Sequence, residues 1–145
     1  MKISIACDHG GFELKEIVKK WLNENNYEVI DFGTNSLDSC DYPDFGRPAS
    51  EAVRDKVVDR GIVICTTGIG MSIVANKVNG VRCALVSNTE GARLTRQHND
   101  TNVLALGAKF TNPSLALEII KIWLETPFEG GRHQRRVDKI MAIED

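Results

Sequence analysis

A cysteine followed by a glycine-rich turn is one arrangement in this chain with the means to do chemistry. Residues 65–72 read Cys65-Thr66-Thr67-Gly68-Ile69-Gly70-Met71-Ser72. If a strand ends at Cys65 and a helix starts within the turn, the sulfur meets unpaired N–H groups and the positive end of a helix dipole. That setting favours some thiolate at neutral pH. The same position also suits a small apolar residue filling a sheet, because free cysteine is commonly buried.

Three further groups carry polar chemistry. Asp8-His9-Gly10-Gly11 follows an apolar run, so it either faces a ligand or caps a helix through Asp8. His98 lies in Gln97-His98-Asn99, either as an acid–base group or as a solvated helix-end residue facing the dipole. Gly130-Gly131-Arg132-His133-Gln134-Arg135-Arg136 holds three arginines. Arg132 and Arg136 are four apart and share a helix face, which suits bidentate capture of a phosphate. A solvated basic tail is the alternative. All three histidines sit in polar segments, none on an apolar face.

Other chemistries lack their residues. Gly68-Ile69-Gly70 is no dinucleotide fingerprint, because Ile73 stands at the third glycine position and the turn follows a third strand. No Gly-Lys-Ser/Thr phosphate loop is present. Asp31-Phe32-Gly33 matches a kinase tripeptide by chance, without the other kinase signatures. Cys7, Cys40, Cys65 and Cys83 form no C-x-x-C pair and no zinc-ligand spacing with the histidines. They read as reduced thiols of a cytoplasmic protein, with Cys40 exposed in a polar loop; neither metal nor cofactor is expected.

The elements that must position these groups alternate along the chain. Apolar runs at 2–7, 27–32, 61–65, 81–87 and 103–106 read as strands. Helical spacing marks 11–25, the segment from Ala49 to Val57, the stretch from the glycine turn to Val78, Thr89 to His98, and Leu115 to Leu124. Gly33 to Pro43 reads as loop, and a short helix can follow the basic tail. Gly61-Ile62-Val63-Ile64-Cys65 is nearly all apolar, as a parallel strand covered on both faces would be. The order predicts one α/β domain over 1–145, a three-layer α/β/α sandwich with a five-stranded parallel Rossmann-like sheet. With 145 residues, 42% hydrophobic, 26% charged and a net charge of -2, nothing points to a nucleic-acid or membrane partner.

On these residues the chain resembles the ribose-5-phosphate isomerase B family, which includes allose- and galactose-6-phosphate isomerases. The likeness runs nearly end to end, through Asp8-His9, Asp41-Tyr42-Pro43, the Cys65–Ser72 loop, Arg96-Gln97-His98-Asn99-Asp100 and Gly130-Gly131-Arg132-His133. The resemblance implies a metal-free aldose–ketose isomerase working on a phosphorylated sugar through a cis-enediolate. Cys65 would be the base. Thr67 and the N–H groups of Thr66, Thr67, Gly68, Ile69 and Gly70 would hold the oxyanion. His98 would open the sugar ring, and Asp8 would bind its hydroxyls. His9, Tyr42, Ser72, Asn99, Lys109, Arg132 and Arg136 would contact substrate and phosphate.

Two residues depart from the family's usual pattern. Thr66 stands where glycine is usual, so a left-handed backbone there would be strained. Lys109 replaces an arginine, giving a point charge and not a fork. A geometric expectation follows from the strand order. Cys65 ends strand three while His98 and Asn99 precede strand five, so they belong to opposite edges of the sheet, roughly 17 Å apart. A homodimer, alone or paired as a dimer of dimers, would share its active sites and remove the gap. Ribose 5-phosphate against an allose or galactose 6-phosphate stays open, as does a non-catalytic phosphosugar-binding module of flavodoxin-like fold. A response-regulator-like domain is disfavoured, since strand three ends in Cys65 where an acceptor Asp would stand.

Overall fold

Apolar runs with no polar alternation form the middle of this molecule. In the computed structural model, which describes residues 1–144, the strands are β1 (Lys2–Cys7), β2 (Glu28–Asp31), β3 (Arg60–Cys65), β4 (Cys83–Leu85) and β5 (Val103–Gly107). The helices are α1 (Phe12–Glu24), α2 (Pro43–Arg54), α3 (Ile69–Asn76), α4 (Thr89–Asn99), α5 (Pro113–Glu125) and α6 (Arg132–Met141), with a 3-10 turn at His9–Gly11. All strands pair in parallel, in the order β2-β1-β3-β5-β4. The central strands β1, β3 and β5 are buried almost throughout.

Side chains alternate across these strands and divide the core in two. Ile3, Ile5, Ile62, Ile64, Leu104 and Leu106 face Leu14, Val18 and Leu22 of α1 and Ile119, Ile120 and Trp123 of α5. Ala6, Val63 and Ala105 face Ala49, Ala52 and Val53 of α2 and Met71 and Ala75 of α3. The three-layer α/β/α sandwich is therefore as expected. Fully burying one such Leu or Ile is worth about 1.5–3 kcal/mol.

Local boundaries depart from the sequence reading where packing outweighs propensity. Helix α2 begins at Pro43, six residues before Ala49, and continues through Pro48. Proline suits the first turn of a helix. The buried face of Gly46, Ala49, Ser50, Ala52 and Val53 then carries the helix past Pro48. Strands β2 and β4 lie at the edges and are shorter than the apolar runs that contain them. Among the described residues no helix is long and apolar enough to cross a membrane.

One buried ion pair ties α1 to β2. The fully buried Lys15 ammonium donates to both Asp31 oxygens, at 2.9 and 3.0 Å, and to the Thr34 carbonyl. Lys19 adds a contact at 3.1 Å. Burial works to raise the Asp31 carboxyl, but hydrogen bonds from the Gly33 N–H, Lys15 and Lys19 outweigh it and hold the pKa below the ordinary value. A depressed carboxyl contributes stability that is present above its unfolded pKa and is lost as pH falls through the folded one. Asp31→Asn leaves the buried ammonium without its counter-charge and should cost about 3–5 kcal/mol. Urea unfolding would show this as a lower midpoint with unchanged slope, and the stability lost below about pH 4 should shrink in the variant.

Candidate active site

Two clusters of polar residues sit at opposite ends of the sheet. The first is built on the carboxyl rim, where ligands of open α/β sheets bind. Cys65 is the last residue of β3, opposite Gly107 of β5. Its Sγ accepts a hydrogen bond from the Gly68 N–H at 3.2 Å. Gly68 is the N-cap of α3 and has φ 78°, a left-handed angle that glycine takes without strain. The sulfur thus lies at a helix start, as its position in the sequence suggests.

The expected strain at Thr66 is absent. Among the described residues the non-glycine ones with positive φ are Asn26, Lys56 and Asp100, so the left-handed step falls on Gly68. The Thr66 hydroxyl packs against Gly10, and its carbonyl accepts from the Lys109 N–H at 2.9 Å. The Cys65 carbonyl accepts from Ala108 at 2.9 Å. These two bonds fasten the loop after β5 to the cysteine loop and set Lys109 on the same rim. Thr67 Oγ1 accepts from the Ile69 N–H at 3.3 Å, leaving its own proton to donate outward.

Asp8, in extended backbone before the 3-10 turn, accepts from the Gly11 N–H at 3.1 Å and is buried. It therefore caps the turn and still faces the cavity. Asp8, Tyr42, Cys65, Thr66, Thr67, Ile69, Gly70 and Ile73 enclose about 400 Å³. Gly70 lies so close to Tyr42 that a Cβ there would meet the ring at 2.6 Å. A neighbouring cavity of about 450 Å³ has Gly10, Glu13, Thr66 and Lys109 in its walls. His9 Nδ1 accepts from the Cys40 N–H at 3.2 Å, and Cys40 is half-buried, not exposed. Ser72 does not line the cysteine cavity; its hydroxyl donates to the Ile69 carbonyl within α3. The thiols of Cys7 and Cys83 are each pushed up to about 12 by burial.

The second cluster lies at the other end of the strands. His98 and Asn99 close α4, and the left-handed Asp100 turns the chain toward β5. Arg96 fixes this corner through Asp100 at 2.8 Å and the Thr101 carbonyl at 2.7 Å. Gly130 and Gly131 have φ 69° and 56°, and α6 then starts at Arg132. Arg132 and Arg136 are exposed, one helical turn apart. His133 points inward between them and is only 7% exposed, a burial that the polar sequence around it concealed. Its ring stacks on His98, centroids 4.4 Å apart. Burial lowers the His133 pKa, helped by His98 and the Arg132 guanidinium. Glu129 completes the group, 3.8 Å from His98 Nε2. The donor atoms of His98, Glu129 and His133 lie within 4.8 Å of one another, a grouping that sequence spacing did not disclose.

The structure therefore gathers Asp8, His9, Tyr42, Lys109 and the residue 65–70 loop at one end, and His98, Asn99, Arg132 and Arg136 at the other. Strand β3, with six residues, separates them by roughly 17–20 Å.

Comparison with known proteins gives a consistent result. The ribose/galactose isomerase family matches residues 3–140. Ribose-5-phosphate isomerase B of Escherichia coli is 49% identical over 143 residues, covering 99% of this chain and 96% of that protein. The structure of ribose-5-phosphate isomerase B from Clostridium thermocellum aligns with TM-score 0.97 at 53% identity, over 99% of this chain and 97% of that one. The Mycoplasma genitalium ribose-5-phosphate isomerase B, solved with bound ribulose-5-phosphate, aligns with TM-score 0.94 at 44% identity, over 98% and 95% of the two chains. A match across nearly the whole fold, at such identity, makes this chain a member of the ribose/galactose isomerase family.

Proposed function

We propose that this chain is a metal-free aldose–ketose isomerase interconverting ribose 5-phosphate and ribulose 5-phosphate in the cytoplasm, through a cis-enediolate. The observation that carries this reading is the Gly68 N–H at 3.2 Å from Cys65 Sγ. It fixes the sulfur at the start of a helix, on the wall of a sugar-sized cavity. Family membership and a relative holding ribulose-5-phosphate support the choice of a pentose phosphate.

In the forward direction the Cys65 thiolate takes the proton from C2 and returns it to C1, while the hydroxyl proton passes from O2 to O1 of the enediolate. As the carbonyl gains negative charge, the Thr67 hydroxyl and loop N–H groups stabilise the oxyanion. The Gly68 and Ile69 N–H groups already serve Cys65 and Thr67. The loop is thus organised before substrate arrives. Asp8 holds the sugar hydroxyls. His98 protonates the ring oxygen and opens the furanose. His9, Lys109, Asn99, Arg132 and Arg136 contact the substrate and its phosphate, and phosphate binding orients the reacting carbons.

No single chain can deliver both ends of the sheet to one sugar, so the reading requires a homodimer with shared sites. The exposed apolar residues support it. Ile69, Ile73, Leu85 and Phe110 are 44–60% exposed around the cysteine rim. Ile140 and Ile143 are exposed near the His98 end. Apolar groups beside both half-sites suit an interface that joins them.

Cys65→Ala should lower kcat for ribose 5-phosphate by about 10²–10⁴-fold, the usual contribution of a positioned base. Wild-type activity should survive exhaustive chelation. The same assay on allose and galactose 6-phosphates identifies the preferred sugar. Unchanged turnover in Cys65→Ala would refute the assigned base. For the assembly, sedimentation should give about twice the 16.1 kDa chain mass. Ile73→Asp should shift the protein to monomer and cut activity at least tenfold, with its far-ultraviolet circular dichroism unchanged. A monomeric, fully active wild type contradicts the shared site.

A further inference from the structure

We propose that His98, Glu129 and His133 form a binding site for a divalent transition-metal ion, with zinc the best fit. Two neutral imidazoles and a carboxylate are a known zinc-binding set that leaves a fourth position open for water. Here the three donor atoms already lie within 4.8 Å of one another. Bonds of about 2.0–2.2 Å in tetrahedral geometry need them roughly 3.3 Å apart. The gap can close because two of the ligands are adjustable: the His98 and Glu129 side chains are 41% and 50% exposed.

His133 is the fixed member. It is 7% exposed, and its Nε2 is buried with no hydrogen-bond partner. An imidazole nitrogen in that state lacks the partner a buried polar atom normally has, and a metal ion would supply one. His98 need only tilt out of its stack on His133 for both rings to reach one ion. The backbone holds the trio together. Glu129 N–H donates to the Gln97 carbonyl at 3.1 Å, pinning Glu129 beside His98. The left-handed Gly130 and Gly131 then fold the chain back so that His133 lies beside the same ring.

The site itself does not depend on the isomerase reading; its consequence does. An ion bound to His98 withdraws the imidazole assigned to ring opening, so zinc should be a reversible inhibitor. Isomerase chemistry without metal and inhibition by metal are compatible, because the ion occupies the acid and not the base.

Full-length protein stripped with chelator would be titrated with zinc ion against a chromophoric chelator at pH 7.5. The titration is repeated in a Cys65→Ser background to remove the competing thiol. One zinc per chain should remain in that background. Glu129→Gln, a change at an exposed side chain, should weaken it at least tenfold, as should His133→Ala. Zinc should inhibit the wild-type enzyme, chelator should restore it, and Glu129→Gln should need at least tenfold more zinc while matching the wild-type rate without metal. Loss of all stoichiometric binding with Cys65→Ser would overturn the site, as would binding indifferent to both ligand substitutions. A zinc-loaded enzyme with full turnover would support the site and overturn the role given to His98.

Discussion

All five strands run the same way, and the placement of every candidate functional side chain depends on that constraint. Parallel strands require crossovers, so each strand delivers its carboxyl end to one rim and receives its chain from the other. Cys65 and Asp8 follow strands and share a rim. His98 and Asn99 precede a strand and cannot reach it. The loop after β5 is then hydrogen-bonded to the loop after β3, so Lys109 arrives beside Thr66. The separation of the two clusters is a consequence of strand direction, and the proposed association of two chains would bring them together.

The rim itself is rigid for identifiable reasons. Cys65, Thr66, Gly68 and Thr67 each spend backbone or side-chain groups on one another or on the β5 loop. Gly68 takes the single left-handed step the turn needs. A side chain at 66 is therefore tolerated, because the demanding torsion lies two residues on. Behind this rim, Lys15 and Asp31 lock α1 to β2 and the segment that follows it.

Much of this was legible in the sequence, for physical reasons that also explain the failures. β3 is apolar from Gly61 to Cys65 because both its faces are covered, so its burial and direction could be read from composition alone. The geometry of the Cys65 loop was legible because a strand end followed by glycines has few structural outcomes. Helix α2 starts six residues before its apolar spacing does, because Gly46 and Pro48 carry local signals against a helix interior that packing on β1, β3 and α3 outweighs, while Pro43 suits the first turn. The grouping of His98, Glu129 and His133 was invisible because it depends on a chain reversal at Gly130–Gly131 joining residues more than thirty positions apart. The burial of His133 was hidden likewise: its arginine neighbours are polar, yet a helix gives adjacent residues different faces.

In the proposed assembly one catalytic centre is divided between two copies of this chain, Cys65 from one and His98 from the other. Cys65→Ser and Cys65-intact His98→Asn proteins, each inactive alone, can be mixed in equal amounts and allowed to exchange subunits. Random reassociation should restore roughly a quarter of the wild-type sites, since half the dimers are mixed and each holds one intact site of two. Isomerase activity that stays at the level of the separate variants after demonstrated exchange would contradict the account.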